Sequence, residues 1–500
     1  MVNWFHIMPS QLDSSSPVAP ASASLRARIL IRPQWDGPAG IRAIFAISLP
    51  LILSNAVHAM NLFIDRTFLS YYSEDSFAAS VQGGMLNWTL LTFFMQTVLY
   101  SGTLVAQYMG AGEHRRVGAI TWQAVYLALA GGCVLAGLSP LGYPIFRWIG
   151  HEGRVPLLEA QFFSILCAAA PVFLMHAALS SFFSGQGRTM TVLAVSVGIC
   201  TANVALDLWF IFGGVSFIPE GIRGAAYATI LSSAGGVLAF LILIFTDAES
   251  RDRYGVREHW RPSRELMGKM FRYGLPAGAH GFLDMFGFTA FMMAVGRFGI
   301  EAHVASNMAL NINLLLFIPA VGLHIGVSIL MGQFCGAQRI LEAERMVAGA
   351  LTICMTYMLL VCIIYIGFPG FLIDLMRGAN ANGDNWDAIA KTARVLLLFV
   401  ALFSTFDAIV LIYSGALKGV GDTKFVMLMS VFLSQAVLTW PSILLCYYAA
   451  HHDMNQHTAL YMAWLFCSLY IIALGAAQFF RYRAGRWKLI RIVDRPSLGG

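Results

Sequence analysis

The sequence predicts an all-α polytopic membrane protein, with twelve transmembrane helices in two six-helix lobes that are related by a parallel internal repeat. Apolar residues make up 58% of the 500 residues and charged residues only 12%, whereas an average soluble domain has roughly 25% charged residues. Runs of about 20 apolar residues, long enough to cross ~30 Å of hydrocarbon as helices, recur along almost the whole chain. Several short motifs recur in the same order in both halves. An ordinary soluble protein is therefore excluded.

The apolar runs define the twelve predicted spans. In the first half they cover residues 42–70, 82–108, 117–139, 157–183, 189–213 and 222–246. In the second half they cover residues 272–297, 303–334, 345–374, 392–417, 424–450 and 458–480. Several are longer than the ~20 residues that a bilayer requires, so we expect tilted or bent helices, or helix ends that project into water.

The spans divide the chain into five predicted segments. These are a disordered cytosolic tail (1–40), an N-lobe of spans 1 to 6 (41–247), a basic cytosolic linker (248–271), a C-lobe of spans 7 to 12 (272–481) and a basic cytosolic tail (482–500). The beginning of the chain is rich in small residues and proline. It lacks the apolar core of a secretory signal, and we therefore expect a disordered cytosolic tail.

Basic residues set the expected orientation, because loops rich in Lys and Arg stay in the cytosol. The loops at 70–76 and 451–457 contain neither Lys nor Arg, whereas the linker and the C-terminal tail are strongly basic. We therefore predict a monomer in the cell membrane, of the bacterial inner-membrane type, with both chain ends in the cytosol. The net charge of +6 then reflects membrane topology. The expected partner is the lipid bilayer, with no nucleic acid.

The internal repeat rests on three pairs of motifs. "ISLP", ending at Pro50, recurs as "YGLP", ending at Pro276, and "AQYMGA" with Gln107 recurs at the same offset as "GQFCGA" with Gln333. The turn 185–189 recurs, at a slightly larger offset, as the turn 419–423. Six spans separate the members of each pair, so the two halves have the same orientation. Parallel repeats of this kind build many secondary transporters.

Five motifs in this frame resemble the multidrug and toxic compound extrusion (MATE) family. They are "SLP" followed by Asp65, "AQYMGAG", "NVALDLWFIFG", "GIRGAAYAT" and "DAIVLIYSGALKGVGDTK". The resemblance covers about residues 40–480. It implies two lobes around a central cavity, and antiport of small organic cations against sodium ions or protons.

Two acids in the N-lobe lie at similar predicted depth. Asp65 follows Arg42 along the first span, and Asp207 follows Arg188 along the fifth. A rise of ~1.5 Å per residue over each interval places them roughly 34 and 28 Å from the cytosolic side. Thr229 lies two turns into the sixth span, about 12 Å down from the outer side by the same rise. All three side chains are therefore expected within reach of one another.

Asn203 completes this set, because residues four apart share a helix face and it precedes Asp207 by one turn. Oxygen atoms of Asp65, Asn203, Asp207 and Thr229 would form a hard-ligand site for a small cation. The resemblance implies a sodium or proton site at the same residues. The alternative is structural: Asp207 pairs locally, for instance with Arg66, and Asn203 only joins helices. Because an intramembrane acid is costly, function is the favoured interpretation.

A second pair of acids lies in the C-lobe. Asp284 follows Arg272 in an outward span and Asp407 precedes Lys418 in an inward one. The same rise per residue places them at roughly 18 and 16 Å from the cytosolic side. Two carboxyl groups at one depth can share a proton or cation. By resemblance, Asp284 stands where the family often has Glu, and Asp407 matches its acid before "SGALKG". We therefore predict a cation, proton or substrate site here.

Three further residues qualify this interpretation. His280 lies one turn before Asp284 and is a candidate proton relay, although a lone helix histidine more often makes an ordinary core hydrogen bond. Pro50 is a candidate hinge in the first span, although Pro is also common in membrane helices. Phe403 stands where the resembled family sometimes has an aromatic hydroxyl, so the resemblance does not carry a tyrosine-assisted cation contact over to this position.

The favoured function is alternating-access export of organic cations or drugs, driven by inward movement of sodium ions or protons, with no enzyme activity, no cofactor and no metal beyond Na⁺. A lipid-linked oligosaccharide flippase of the same superfamily is an alternative, but it should have a basic cavity, and the interior holds acids and few cations apart from Arg66 and Arg297 near span ends. A membrane-embedded metal enzyme would use His451, His452 and His457. A passive channel would not require the repeat.

Overall fold

The structure is a computed structural model that describes residues 34–149, 155–213, 221–377, 385–452 and 454–493. Most of the predicted N-terminal tail and the end of the C-terminal tail lie outside these residues. Within them the chain is helical, and no strand occurs. The all-α prediction is confirmed.

The described part of the first half contains eight α-helices. They are α1 (Ile41–Tyr72), α2 (Glu74–Gly110), α3 (His114–Leu138), α4 (Gly142–Ile149), α5 (Val155–Ala168), α6 (Ala170–Gly185), α7 (Thr189–Ile211) and α8 (Ile222–Thr246). A short π-helical turn, Glu249–Arg253, follows α8 and begins the linker between the lobes.

The second half, over its own described residues, also contains eight α-helices. They are α9 (Arg264–Gly296), α10 (Ile300–Gly336), α11 (Ile340–Gly367), α12 (Pro369–Leu375), α13 (Asn385–Val420), α14 (Thr423–Leu433), α15 (Trp440–His451) and α16 (Gln456–Arg483).

These helices confirm the prediction of twelve spans in two six-helix lobes. Eleven helical segments of the described residues are long and apolar enough to cross a membrane, and the twelfth span is the pair α5 and α6, bent by 46°. The bend falls at Ala169, just before Pro171 near the start of α6. Proline has no N–H to donate to the carbonyl four residues earlier and its ring crowds that carbonyl, so the helix kinks there.

The eleventh span is irregular for a related reason. A π-helical turn, Ser434–Thr439, joins α14 to α15, and Pro441 lies in the first turn of α15. A proline that cannot continue the hydrogen-bond ladder is accommodated by locally widening the helix. The span is therefore continuous, but its two halves are not one regular helix.

The lobes meet where α1 and α2 of the N-lobe pack against α9 and α10 of the C-lobe. We call the side of the molecule on which α1 begins and α16 ends the linker side, because the linker also lies there. The linker is folded against the N-lobe: the Trp122 indole donates to the Val256 carbonyl (2.8 Å) and the Ser263 amide donates to Gln123 Oε1 (3.1 Å). The linker thus fixes the start of α9 against α3.

Candidate ion-binding sites and the lobe interface

The structure brings the predicted N-lobe residues together. Asp65 on α1 lies within hydrogen-bonding reach of Asp207 on α7 and of Thr229 on α8. Asp207 is fully buried, and its Oδ1 has no hydrogen-bond partner in the described part of the chain. Asp65 and Thr229 are half-buried. Three helices therefore converge on two adjacent carboxyl groups.

Asn203 bridges the two acids. With its amide in the orientation that satisfies both of its polar atoms, the nitrogen lies 2.7 Å from Asp65 Oδ1 and 3.1 Å from Asp207 Oδ2. The same nitrogen lies 2.9 Å from Oδ1 of Asn61, a buried residue one turn before Asp65 on α1. Asn61 was not among the predicted site residues, although its position one turn from Asp65 was a usable signal.

The prediction that the Asn203 oxygen is a cation ligand stays a prediction. The Asn203 amide nitrogen faces the acids because an oxygen in that place would meet only other acceptors. An amide donor compensates part of the negative charge of a buried carboxylate. Two carboxyl groups this close repel one another strongly unless a proton or a cation lies between them. The pair therefore has the chemistry to bind either.

The local-pairing alternative finds no support in these contacts. Arg66 is exposed, and within the described residues no salt bridge joins it to Asp65 or Asp207. Its positive charge still interacts with Asp65 over a longer distance. The two acids are thus not locked to an arginine.

The C-lobe acids lie beside a tyrosine that the sequence did not reveal. The Tyr470 hydroxyl, on α16, donates to Asp284 Oδ1 on α9 (2.9 Å). Asp407, on α13, is 9% exposed and close enough for its charge to interact with that of Asp284. Phe403, one turn before Asp407 on α13, is buried. The aromatic hydroxyl is therefore present in this lobe, but a different helix supplies it.

His280 contacts two polar groups on other helices. Its Nε2 lies 3.0 Å from Ser430 Oγ on α14, and its Nδ1 lies 3.4 Å from the Lys418 ammonium on α13. In the sequence, Lys418 served only as a marker of the membrane surface, and few interior cations were expected. The last turn of α13 packs closely against α10, since a Cβ on Gly419 would lie 2.7 Å from the Ser328 carbonyl oxygen, and the Lys418 side chain reaches His280 on α9. The interior is therefore less purely acidic than expected.

Pro50 lies inside α1, which continues through it without a break. The other lobe approaches closely on either side of it: a Cβ added to Gly326 of α10 would lie 2.1 Å from Ser48 Oγ, and one added to Gly322 would lie 2.5 Å from Ile52 Cγ1. Proline removes one backbone hydrogen bond here. A hinge at Pro50 remains a prediction.

The repeated glutamines clasp the two lobes together. Gln107 of α2 donates through Nε2 to the Gly419 carbonyl at the end of α13 (2.7 Å). Gln333 of α10 donates through Nε2 to the Gly185 carbonyl at the end of α6 (3.1 Å). The motifs that match in sequence thus meet in space, each glutamine reaching the turn of the opposite lobe. We call these two hydrogen bonds the glutamine clasp.

The clasp depends on a very close helix crossing. A Cβ on Gly110 would lie 2.0 Å from the Gln333 carbonyl oxygen, and a Cβ on Gly336 would lie 2.0 Å from the Gln107 carbonyl oxygen. No side chain fits at that distance, so α2 and α10 cross here because both positions are glycine.

Other polar contacts surround the clasp. They are Thr103 Oγ1 to Ser328 Oγ (3.2 Å), the Tyr100 hydroxyl to the Lys418 carbonyl (3.1 Å), Lys269 Nζ to the Tyr108 hydroxyl (3.0 Å) and Arg116 Nη1 to Glu265 Oε1 (2.8 Å). All of these contacts between the lobes lie toward the linker side. The lobes are therefore closed against each other on that side.

The histidines near the start of α16 have ordinary local contacts. His451 and His452 lie against Tyr447 and Tyr448 of α15, and His457 lies against Tyr461. Among the residues that the structure describes, no three His, Cys, Asp or Glu side chains converge in a way that could hold a metal ion. The geometry gives the metal-enzyme alternative no support.

Comparison with known proteins shows which family has this sequence and architecture. The MatE family model matches residues 50–209 and 276–447. A probable multidrug resistance protein NorM of Thermotoga maritima is 24% identical over 470 residues, covering 93% of this chain and 97% of that protein. A second, of Pseudomonas aeruginosa, is 28% identical over 397 residues, covering 78% of this chain and 80% of that protein.

Solved structures have the same fold at low sequence identity. A multidrug resistance MATE family transporter of the MOP superfamily, in an outward-facing conformation, has a TM-score of 0.79 at 18% identity, covering 94% of this chain and 100% of that one. A MOP superfamily transporter of Pyrococcus furiosus, described as having a binding pocket of reverse polarity, has a TM-score of 0.78 at 19% identity, covering 93% of this chain and 100% of that one. The chain is a multi-pass membrane protein that belongs to the MatE family.

Proposed function

We propose that the protein exports drugs and other small organic cations in exchange for sodium ions or protons that enter the cell. The names of the relatives support drug export, because both are probable multidrug resistance proteins. The bridged acid pair of Asp65 and Asp207 supports cation coupling. It is the single observation that carries the proposal, since buried acids held close together bind and release a cation with a large change in local charge.

The proposed orientation follows from the charges of the linker side. The linker and the tail after α16 are rich in arginine, and such segments stay in the cytosol. The linker side is then cytosolic, and the glutamine clasp closes the protein toward the cytosol. The proposed setting is a bacterial inner membrane, in which the protein acts as a monomer.

In the proposed cycle, a sodium ion or proton from outside occupies the acids of the N-lobe. This removes negative charge that would otherwise hold a cationic substrate, and the substrate leaves outward. Opening toward the cytosol then requires the clasp to break and α1 to repack against α10 around Pro50. Each charge that moves inward through 100 mV releases ~2.3 kcal/mol. A singly charged substrate that leaves the cell costs the same amount, so one-for-one exchange is driven by the concentration gradient of the ion, and only a second inward charge adds roughly a fiftyfold substrate gradient.

The two candidate ions make different demands on Asn203. A proton shared by Asp65 and Asp207 leaves the amide donating to both, as it does in this arrangement. A sodium ion requires the amide to turn, so that its oxygen joins the carboxylates and the Thr229 hydroxyl as a ligand. Asn203→Asp therefore distinguishes the ions: an added carboxylate suits sodium, whereas it removes the donor that stabilises a shared proton.

The test is transport of ethidium in proteoliposomes under imposed sodium or proton gradients. We expect one gradient to drive transport by the wild type, and Asp65→Asn and Asp207→Asn to lose this dependence. Asp75→Asn is the matched control, because Asp75 is exposed in the first turn of α2 and should keep wild-type coupling. Equal transport without either gradient would indicate a passive channel, and binding of lipid pyrophosphates without ethidium transport would indicate a flippase.

A further inference from the structure

Lys418 joins the lobe interface to the interior of the C-lobe. Its carbonyl oxygen accepts a hydrogen bond from the Tyr100 hydroxyl of the N-lobe (3.1 Å), and the next carbonyl, that of Gly419, accepts from Gln107. Its ammonium points the other way and lies 3.4 Å from His280 Nδ1. One residue thus contacts both the clasp and the surroundings of the C-lobe acids.

The contact with Lys418 fixes the state of His280. An ammonium only donates, so Nδ1 must be the acceptor, and Nε2 carries the hydrogen and donates to Ser430 Oγ (3.0 Å). A protonated ring would place two positive charges 3.4 Å apart. His280 is therefore a neutral hydrogen-bond acceptor for the ammonium in this arrangement. It does not relay protons while Lys418 is bound to it.

An acid also lies near the ammonium, although no salt bridge joins them in the described part of the chain. Asp284 lies one turn beyond His280 on the same face of α9, and its charge interacts with that of Lys418. Tyr470 donates a hydrogen bond to one oxygen of Asp284, and the charge of Asp407 interacts with that of Asp284.

His324 is a further titratable group near the ammonium, and its ring nitrogen Nδ1 lies 2.7 Å from the Leu411 carbonyl oxygen. The described groups whose charges interact with that of Lys418 therefore include two histidines, already engaged with other groups, and the acid Asp284. A flexible lysine side chain can turn toward or away from Asp284 without backbone movement.

We propose that Lys418 is a tethered counter-cation of Asp284, which competes with the transported organic cation for the C-lobe acids. When the acids hold no other cation, the ammonium at its contact with His280 is close enough to offset the charge of Asp284. When an organic cation arrives, the two positive charges repel each other, the ammonium turns away from Asp284, and the end of α13 carries this change to the clasp. The inference rests on the proposed function in one respect, namely that the substrate is a cation.

Binding of tetraphenylphosphonium to the purified full-length protein tests the competition. Lys418→Met should bind this cation roughly tenfold more tightly than the wild type, because a competing charge is gone. Lys418→Arg keeps the charge and should bind within about twofold of the wild type. In an Asp284→Asn background, Lys418→Met should have no effect. Unchanged or weaker binding by Lys418→Met, or the same gain in both backgrounds, would overturn the proposal.

A ligand-free measurement separates this proposal from the proposed function. Thermal unfolding of the wild type, Lys418→Met, Asp284→Asn and the double variant forms a double-mutant cycle that requires no substrate. We expect the double variant to lose less stability than the sum of the two single losses. Additive losses of stability would show that Lys418 and Asp284 do not interact. Failure of every variant to bind tetraphenylphosphonium, with coupling present in the cycle, would instead refute cation export and leave the ion pair standing.

Discussion

Arg188 and Asp422 occupy equivalent positions in the two lobes, at the ends of the repeated turns that the clasp contacts, yet they carry opposite charges. Arg188 forms a salt bridge with Asp247 at the end of α8, and Asp422 forms one with Arg481 at the end of α16 (2.7 Å). Asp247 and Arg481 are separated in the sequence by the same offset as Arg188 and Asp422. Each lobe therefore fixes its clasp turn with the same ion pair, but with the charges exchanged.

Because the C-lobe ion pair has its charges at the opposite positions, we expect the N-lobe pair of Arg188 and Asp247 to tolerate an exchange of its two charges. Arg188→Asp should lower stability by about 1 kcal/mol, because it sets two carboxylates against each other at a partly exposed site where solvent screens the charges. Adding Asp247→Arg should restore most of the loss, since it recreates the arrangement of the C-lobe. Thermal unfolding in detergent measures both, with Asp247→Arg alone as the control. A double variant less stable than either single one would contradict the equivalence.

The same pair predicts how the N-lobe turn responds to pH. Burial by itself would raise the pKa of the Asp247 carboxyl, but hydrogen bonds from Arg188 and Ser250 bring that pKa below its usual value. A lowered folded-state pKa means that the contribution is complete above the unfolded pKa of ~3.9 and is lost as the pH falls through the folded value. The stability difference between wild type and Asp247→Asn should therefore stay constant from about pH 8 to 5. A difference that vanishes near pH 6 would contradict this.

The glutamine clasp should stabilise the conformation that is closed on the linker side relative to the conformation that is open there. Each hydrogen bond contributes about 0.5–1.5 kcal/mol, so Gln107→Ala or Gln333→Ala should shift the population toward opening on the linker side up to about tenfold. Spin labels at Arg115 and Leu341, two exposed and repeat-equivalent positions on that side, would report longer distances, after replacement of the native cysteines. Exposed Gln338→Ala is the matched control. Unchanged distances in both clasp variants would show that the clasp does not hold the lobes.

The glycine crossing predicts a stronger effect. Gly336→Val would place side-chain atoms inside the contact with the Gln107 carbonyl, where even a Cβ would lie at 2.0 Å. Since backbone atoms cannot move aside cheaply, α2 and α10 should separate, and the linker side should stay open. Transport should be lost while the protein still inserts. Gly367→Val is the control, because a Cβ there meets no atom within 4 Å. Normal transport by Gly336→Val would refute the close crossing.

The sequence predicted most of the fold, because both hydropathy and the repeat are periodic signals. Twelve spans followed from apolar runs, and the position of Pro171 even marks the bend between α5 and α6. Depth arithmetic placed Asp65 near Asp207, since a helix converts residue number directly into height.

Contacts between helices distant in sequence could not be predicted in the same way. Tyr470 reaches Asp284 from α16, and Lys418 turns toward His280. Depth alone does not specify the direction in which a side chain points around its helix. The rotation of α13 that turns Lys418 inward depends on packing against its neighbours α10 and α16. The glutamine repeat was visible, but its reciprocal contact became evident only once the lobes were placed side by side.

The central claim is that the N-lobe acids exchange a coupling ion for substrate. Its most direct measurement is ion release from purified protein: tetraphenylphosphonium is added to weakly buffered wild type, Asp65→Asn and Asp207→Asn, with a pH indicator in one series and radioactive sodium preloaded in another. We predict that binding by the wild type releases protons or sodium, and that neither variant releases that ion. Full release by both variants would contradict the claim.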